Sequence, residues 1–249
     1  MKSWIYGFFM TWGMFLVIPC PVRRWDENAR GKMMVCLPFI GAVVGGLWAL
    51  AAWGLGYLSC PGPVRALVLA EVPWLATGFL HLDGYMDVCD AVLSRRDLAT
   101  RQKILKDSHC GAFAVISLGL LFMAQWSLFL SAGTVALMPL AMIPVATRAC
   151  AGLAVVSLRP MGTSQYANLD RRGRAGRQAA LLALALLAVG LPLIRLDGPG
   201  CAPLAAAAGY GLAACYGFRQ LDGMSGDIPA LPLPWESWCG GFDFDEVTV

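Results

Sequence analysis

His81-Leu82-Asp83-Gly84-Tyr85-Met86-Asp87-Val88-Cys89-Asp90 follows directly on the apolar run Val72–Leu80. Its three carboxylates are spaced by four and then three residues. A helix turns about 100° per residue, so Asp83, Asp87 and Asp90 fall within an arc of roughly 60° and face one way. Ionisable groups at membrane depth are costly and normally line a polar cavity, which makes this row the first candidate site. Clustered hard oxygen donors suit a divalent cation, most often magnesium serving phosphates. The spacing therefore predicts Asp83, Asp87 and Asp90 as metal ligands.

The surrounding composition supports a membrane setting. The 249 residues are 58% hydrophobic and 14% charged, with a mean hydropathy of +0.62. A soluble domain carries about 25% charged residues, so an ordinary water-soluble enzyme is disfavoured. The apolar residues come in long blocks separated by polar stretches, the pattern of a polytopic helical protein. A formal net charge of +3, dispersed along the chain, gives no footprint for nucleic acid. The nine cysteines show no paired spacing and lie mostly in apolar sequence, where a thiol behaves as a small buried hydrophobe.

Outward from the acid row, an all-α polytopic membrane protein of about six to seven transmembrane helices arranged as hairpins is expected. Residues 1–19 read as a retained apolar helix or half-helix. Met33–Leu58 is long enough to span, and Gly41, Gly45 and Gly46 would admit a close neighbour. A Pro/Gly turn at 59–63 leads into a helix from about Val64 to His81. Further hairpins are expected at Gly111–Ala132 with Thr134–Leu158, and at Gln178–Leu196 with Ala202–Phe218. One integral-membrane domain, 1–227, is thus followed by a proline-rich and then acidic tail, 228–249.

The positive charges test this layout. The loops 23–32, 94–108 and 159–177 and the start of the tail hold four, five, five and one of the 19 Lys+Arg. Only Arg65 and Arg195 fall on the opposite side. An even number of spans separates each basic loop from the next, so all lie on one face. By the positive-inside rule that face is cytoplasmic. Acids and bases converging there suit a metal-bridged phosphate, with Lys or Arg stabilising the remaining charge. Arg95, Arg96, Lys103 and Lys106, directly after the acids, are substrate-binding or catalytic candidates. Arg171, Arg172, Arg174 and Arg177 fit topogenesis and contact with anionic membrane lipid. Asp97 reads as a loop cap, and Asp227, closing Asp222-Gly223-Met224-Ser225-Gly226-Asp227, as a group in or behind the metal site.

The pattern HLDG-x-x-D-x-x-D at 81–90, then Arg95-Arg96-Asp97, then Lys106-Asp107-Ser108-x-x-Gly111-x-Phe113, resembles the cobalamin synthases, or adenosylcobinamide-GDP ribazoletransferases. The resemblance extends to Phe15–Pro21, to the glycine-bearing Pro38–Gly46, to Thr147-Arg148 and to Gly223–Asp227. It implies an integral inner-membrane transferase with its active site facing the cytoplasm. Such an enzyme joins adenosylcobinamide-GDP to α-ribazole, or its 5′-phosphate, and releases GMP in a magnesium-requiring reaction. Carried over by position, Asp83, Asp87 and Asp90 would hold Mg2+. By the same match Lys106 would pair with the diphosphate, Asp107 would bind metal or orient the attacking hydroxyl, and Ser108 would bind substrate; Arg95, Arg96 and Lys103 are substrate-binding candidates from their place directly after the acids. Other cobalamin-pathway enzymes and a homo-oligomer are the implied partners. The sequence departs from the pattern at Ala91, where the family has glycine. It departs again at Ile228–Trp235, whose three prolines exclude a regular final helix. Two alternatives are a CDP-alcohol phosphotransferase, whose longer D-x-x-D-G-x-x-A-R signature is absent, and a cation transporter. A transporter commonly carries an internal repeat, and no second copy of the acidic motif occurs.

Overall fold

The computed structural model describes residues 2–133, 135–162 and 202–228. The described chain is helical, with one isolated backbone bridge, between Pro160 and Met224. Eight α-helices are described: α1 (Lys2–Phe15), α2 (Arg30–Tyr57), α3 (Gly62–Ala76), α4 (Leu80–Leu93), α5 (Leu98–Ile104), α6 (Ala112–Ser131), α7 (Leu137–Ser157) and α8 (Ala202–Leu221). The expected helix at Gln178–Leu196, the bases Arg171, Arg172, Arg174 and Arg177, and the tail beyond Ile228 lie outside the described residues.

Among the described residues, three segments are long and apolar enough to cross a bilayer: Glu27–Tyr57, Ala112–Ser131 and Leu137–Ser157. Taking α3 and α4 as one bent span makes four. The expected six to seven are not reached by these residues. At 14 residues, α1 is about 21 Å long at 1.5 Å per residue, too short to cross; the half-helix alternative holds. The outer surface fits lipid rather than water. Leu120, Met123 and Leu212 are 66%, 65% and 75% exposed, and such a run of apolar side chains would be a large sticky patch in an aqueous protein.

Packing in lipid relies on close van der Waals fit, which small residues permit. Helix α2 lies tightly against α7. A Cβ on Gly41 would stand 2.8 Å from the Val145 Cα, and one on Gly152 would meet the Met34 carbonyl at 2.8 Å. Gly45 is pressed on the Ala141 carbonyl in the same way. Gly46, by contrast, faces open space and takes no part in the contact expected of it. Beside this seam, Trp48, Leu69, Phe129, Leu140 and Ile143 form a buried cluster. Trp48 Nε1 donates to the Leu69 carbonyl at 2.7 Å, which satisfies the one polar group of the largest core side chain.

The helix predicted from Val64 to His81 is broken. It stops at Ala76, and α4 departs at 93°. Gly78 (φ 60°) and Phe79 (φ 62°) both adopt the left-handed conformation, which ends a helix. The cost of phenylalanine there is met by a fully used set of carbonyls. The Thr77 hydroxyl donates to Pro73 O at 2.9 Å. Phe79 N donates to Trp74 O at 2.9 Å, Gly78 N to Leu75 O at 3.2 Å, and Val17 N to Ala76 O at 3.1 Å. All four terminal carbonyls of α3 thus have donors, as backbone out of water requires. The described cysteines are free thiols, as their scattered spacing predicted.

Candidate active site

Helix α4 is two-sided. Val88, Ala91 and Val92 are buried against Leu105, Met161, Leu221, Met224 and Ile228. Leu82 packs with Trp74 and Leu121. Anchored on those sides, the helix keeps Asp83 exposed and Asp87 and Asp90 part-buried. Ala91, fully buried, has no room for a polar role and continues the helix regularly.

The chain beyond α4 returns to the row. Asp97 caps α5, accepting from Thr100 N at 3.0 Å and Thr100 Oγ1 at 2.7 Å; these bonds hold its carboxyl below the usual range. Gln102 Nε2 donates to Leu221 O at 2.8 Å, and Arg101 pairs with Gln220, so α5 is fastened to the end of α8. Lys106, Asp107 and Ser108 follow, exposed in the loop before α6. Asp107 Oδ1 lies 2.6 Å from His109 Nδ1 and accepts from His109 N at 3.1 Å. These contacts, with the nearby Lys103 charge, hold the Asp107 carboxyl below its ordinary range. The loop then closes on the acid row: the Asp90 carboxylate fills the space where a Cβ of Gly111 would be. Gly111 is therefore the residue that lets the second motif touch the first. Arg95 and Arg96 are exposed just past the row.

The segment Asp222–Asp227 supplies the fourth carboxylate. Met161 N donates to Met224 O at 2.9 Å and Met224 N to Arg159 O at 2.8 Å. Arg159 Nη2 holds Asp222 Oδ1 at 2.6 Å. Gly223 packs so closely that an added Cβ would lie 2.8 Å from Met161 Cα. This clamp brings Asp227 within electrostatic reach of Asp83 and Asp87. Burial pushes the Asp227 carboxyl above the ordinary carboxylate range; the Ser225 hydroxyl bond opposes this, and the Asp83 charge adds to it. His81, preceding the row, turns to protein instead: its ring packs on Phe15 at 5.7 Å, and its buried Nε2 has no hydrogen-bond partner among the described residues.

Among the described residues, no three acid, thiol or imidazole groups converge closely enough to enclose one ion. The donor set nevertheless fits magnesium in kind. It consists of hard carboxylate oxygens, and Asp87 feels the charges of Asp83, Asp227 and Asp90, a repulsion that a cation relieves. Magnesium is commonly held by one or two carboxylates, with waters and substrate phosphates completing its shell. The arrangement supplies that number without a closed protein cage.

Fold and site together define a helical membrane protein that presents an acid row and a basic loop at the mouth of a bent helix pair. Residues 7–229 match the family model described as cobalamin-5-phosphate synthase. The chain belongs to that family. A Clostridium perfringens (strain 13 / Type A) protein named adenosylcobinamide-GDP ribazoletransferase is 37% identical over 239 residues, covering 94% of each chain. A Clostridium botulinum (strain Eklund 17B / Type B) protein of the same name is 45% identical over 126 residues, 51% of this chain and 50% of that one. One from Geotalea daltonii, also so named, is 29% identical over 221 residues, 88% and 89% of the two chains. No solved structure matches the chain.

Proposed function

We propose that this protein is a magnesium-dependent adenosylcobinamide-GDP ribazoletransferase of the cell inner membrane, with its active site on the cytoplasmic face. The observation that carries this reading is the Asp90–Gly111 contact, which joins the acid row to the Lys106–Ser108 loop in a chain of the cobalamin synthase family. In the reaction, an alcohol oxygen of α-ribazole, or of its 5′-phosphate, bonds to the phosphorus on the cobinamide arm. The bond from that phosphorus to the GMP oxygen breaks, and GMP leaves.

Magnesium would be held from the row Asp83, Asp87 and Asp90 by one or two carboxylates at a time, with Asp227 behind them, and when bound would neutralise the diphosphate and the departing phosphate. Lys106, exposed in the loop before α6, pairs with the diphosphate oxygens. Asp107, kept ionised and held by His109, would bind the metal or orient the attacking hydroxyl of the incoming ribazole, whose proton passes to solvent. Lys103, Arg95, Arg96 and Ser108 supply donors to the remaining phosphate oxygens. Other cobalamin-pathway enzymes and a second copy of this chain are the expected membrane partners.

The test is an endpoint assay on membranes holding the full chain, given adenosylcobinamide-GDP, α-ribazole and magnesium. Cobalamin and GMP should form with the unmutated protein, and neither should form with Asp87→Asn or with chelator. Product formation unaffected by Asp87→Asn would remove the acid row from the mechanism. No product from well-folded protein would remove the transferase.

A further inference from the structure

The loop after α1 does not run free. Residues 16–25 fold back along α1 and bound an open cleft of about 540 Å³, walled by Phe9, Met14, Leu16 and Val17 and edged by the exposed Arg23 and Arg24. The loop is preformed. Trp12 Nε1 donates to Ile18 O at 2.9 Å, and the single Cys20 thiol hydrogen has two carbonyl acceptors in reach, Val22 O at 3.1 Å and Phe9 O at 3.4 Å. Its far wall is fastened to the α3–α4 break through Val17 N and Ala76 O, 3.1 Å apart. Val17 Cγ2 lies 2.7 Å from where a Cβ of Gly78 would be. The cleft therefore borders the turn from which α4 starts, with Asp83 in its first turn.

We propose that this cleft is the α-ribazole subsite, an assignment that rests on the transferase reading above. Its volume lies within the roughly 300–1,000 Å³ of small-molecule sites. That size suits a benzimidazole nucleoside rather than a corrin with its side arms. The apolar walls suit an uncharged aromatic base. The cationic edge suits the 5′-phosphate of the alternative substrate. Arg24 is engaged by Tyr6, lying 5.3 Å over its ring. Arg23 has no hydrogen-bond or ion-pair partner among the described residues and is available for a forked contact to phosphate. A loop already tied down loses little entropy when the ligand enters.

Two variants of the full chain in nanodiscs test this. Gly13 also lines the cleft, and a Cβ there would make only ordinary contact with Cys20 Cβ, at 3.8 Å. Gly13→Leu should therefore fill the space without forcing the backbone. It should raise KM for α-ribazole at least about tenfold and leave KM for adenosylcobinamide-GDP unchanged. Arg23→Ala, at an exposed site, should raise KM for α-ribazole 5′-phosphate about tenfold more than KM for α-ribazole, the effect of one charge-assisted bond. Equilibrium dialysis of α-ribazole 5′-phosphate against the same proteins, without cobinamide, should give the same order of affinities. That arm decides the subsite even if no cobalamin forms, so its failure is distinct from failure of the transferase reading. Unchanged nucleoside binding in both variants overturns the proposal. So does loss of bound phosphatidylglycerol from Arg23→Ala with nucleoside binding intact, which would make the cleft a lipid site.

Discussion

Replacing Gly45 by alanine should weaken the fold, whereas the same replacement one residue later should not. A Cβ on Gly45 would stand 2.8 Å from the Ala141 carbonyl carbon and 3.0 Å from its Cα. Carbon atoms rest about 3.5–4.0 Å apart, so α2 and α7 must part locally by roughly 1 Å. The obstacle is backbone, which cannot swing aside as a side chain does. Overpacking of this kind costs about 1–3 kcal/mol. Gly46 meets nothing within 4 Å, and there alanine contributes only its better helix propensity, up to about 1 kcal/mol. That gain is common to both variants, so the difference between them isolates the clash. For a chain of this size about 2–4 °C of Tm corresponds to each kcal/mol. Thermal unfolding in a fixed detergent should place Gly45→Ala about 2–12 °C below Gly46→Ala. Equal Tm values would refute the close crossing of α2 and α7 and, with it, the helix arrangement that sets the position of the acid row.

Four further outcomes follow from the site and its supports. Gly111→Ala should reduce turnover at least about tenfold while Tm changes by less than about 4 °C, because the new methyl displaces the Asp90 carboxylate, not core packing; activity assays beside a melting curve check this. Thr77→Val should lower stability by about 1–3 kcal/mol, since the Pro73 carbonyl loses its 2.9 Å hydroxyl donor where no water replaces it; Tm in detergent is again the readout. At the tail clamp, Asp222→Asn should shift Tm by no more than about 1 kcal/mol would, because the Arg159–Asp222 pair is 59% exposed on each side. Gly223→Val should cost more, as its Cβ is opposed by Met161 backbone at 2.8 Å.

The acid row was legible because its signal is local. Residues at spacings of four and three share a helix face whatever the tertiary context, and buried Val88, Ala91 and Val92 on another side of α4 confirm the orientation. Gly41 and Gly45 were legible as a class, but which glycines meet α7 depends on the crossing, and Gly46 points elsewhere. The break at Thr77–Phe79 was missed for two reasons. The apolar run continues unbroken through it, and a left-handed phenylalanine has no sequence signature. Thr77-Gly78, a hydroxyl followed by a glycine able to end a helix, was the available cue. The Asp90–Gly111 and Arg159–Asp222 contacts join residues far apart in sequence, and spacing carries no information about either.

The hydrogen bond from Val17 to the Ala76 carbonyl also bears on how the protein is made. Residue 17 leaves the ribosome well before residue 76, so the donor is already waiting when the exposed end of α3 enters the bilayer. A truncated chain lacking its first twenty residues would insert α3 with that carbonyl bare, at a penalty of about 1–3 kcal/mol during assembly itself. The turn that follows the half-helix is thus placed to dock on a later segment, and labels attached at the N-terminus need a spacer that leaves it free to do so.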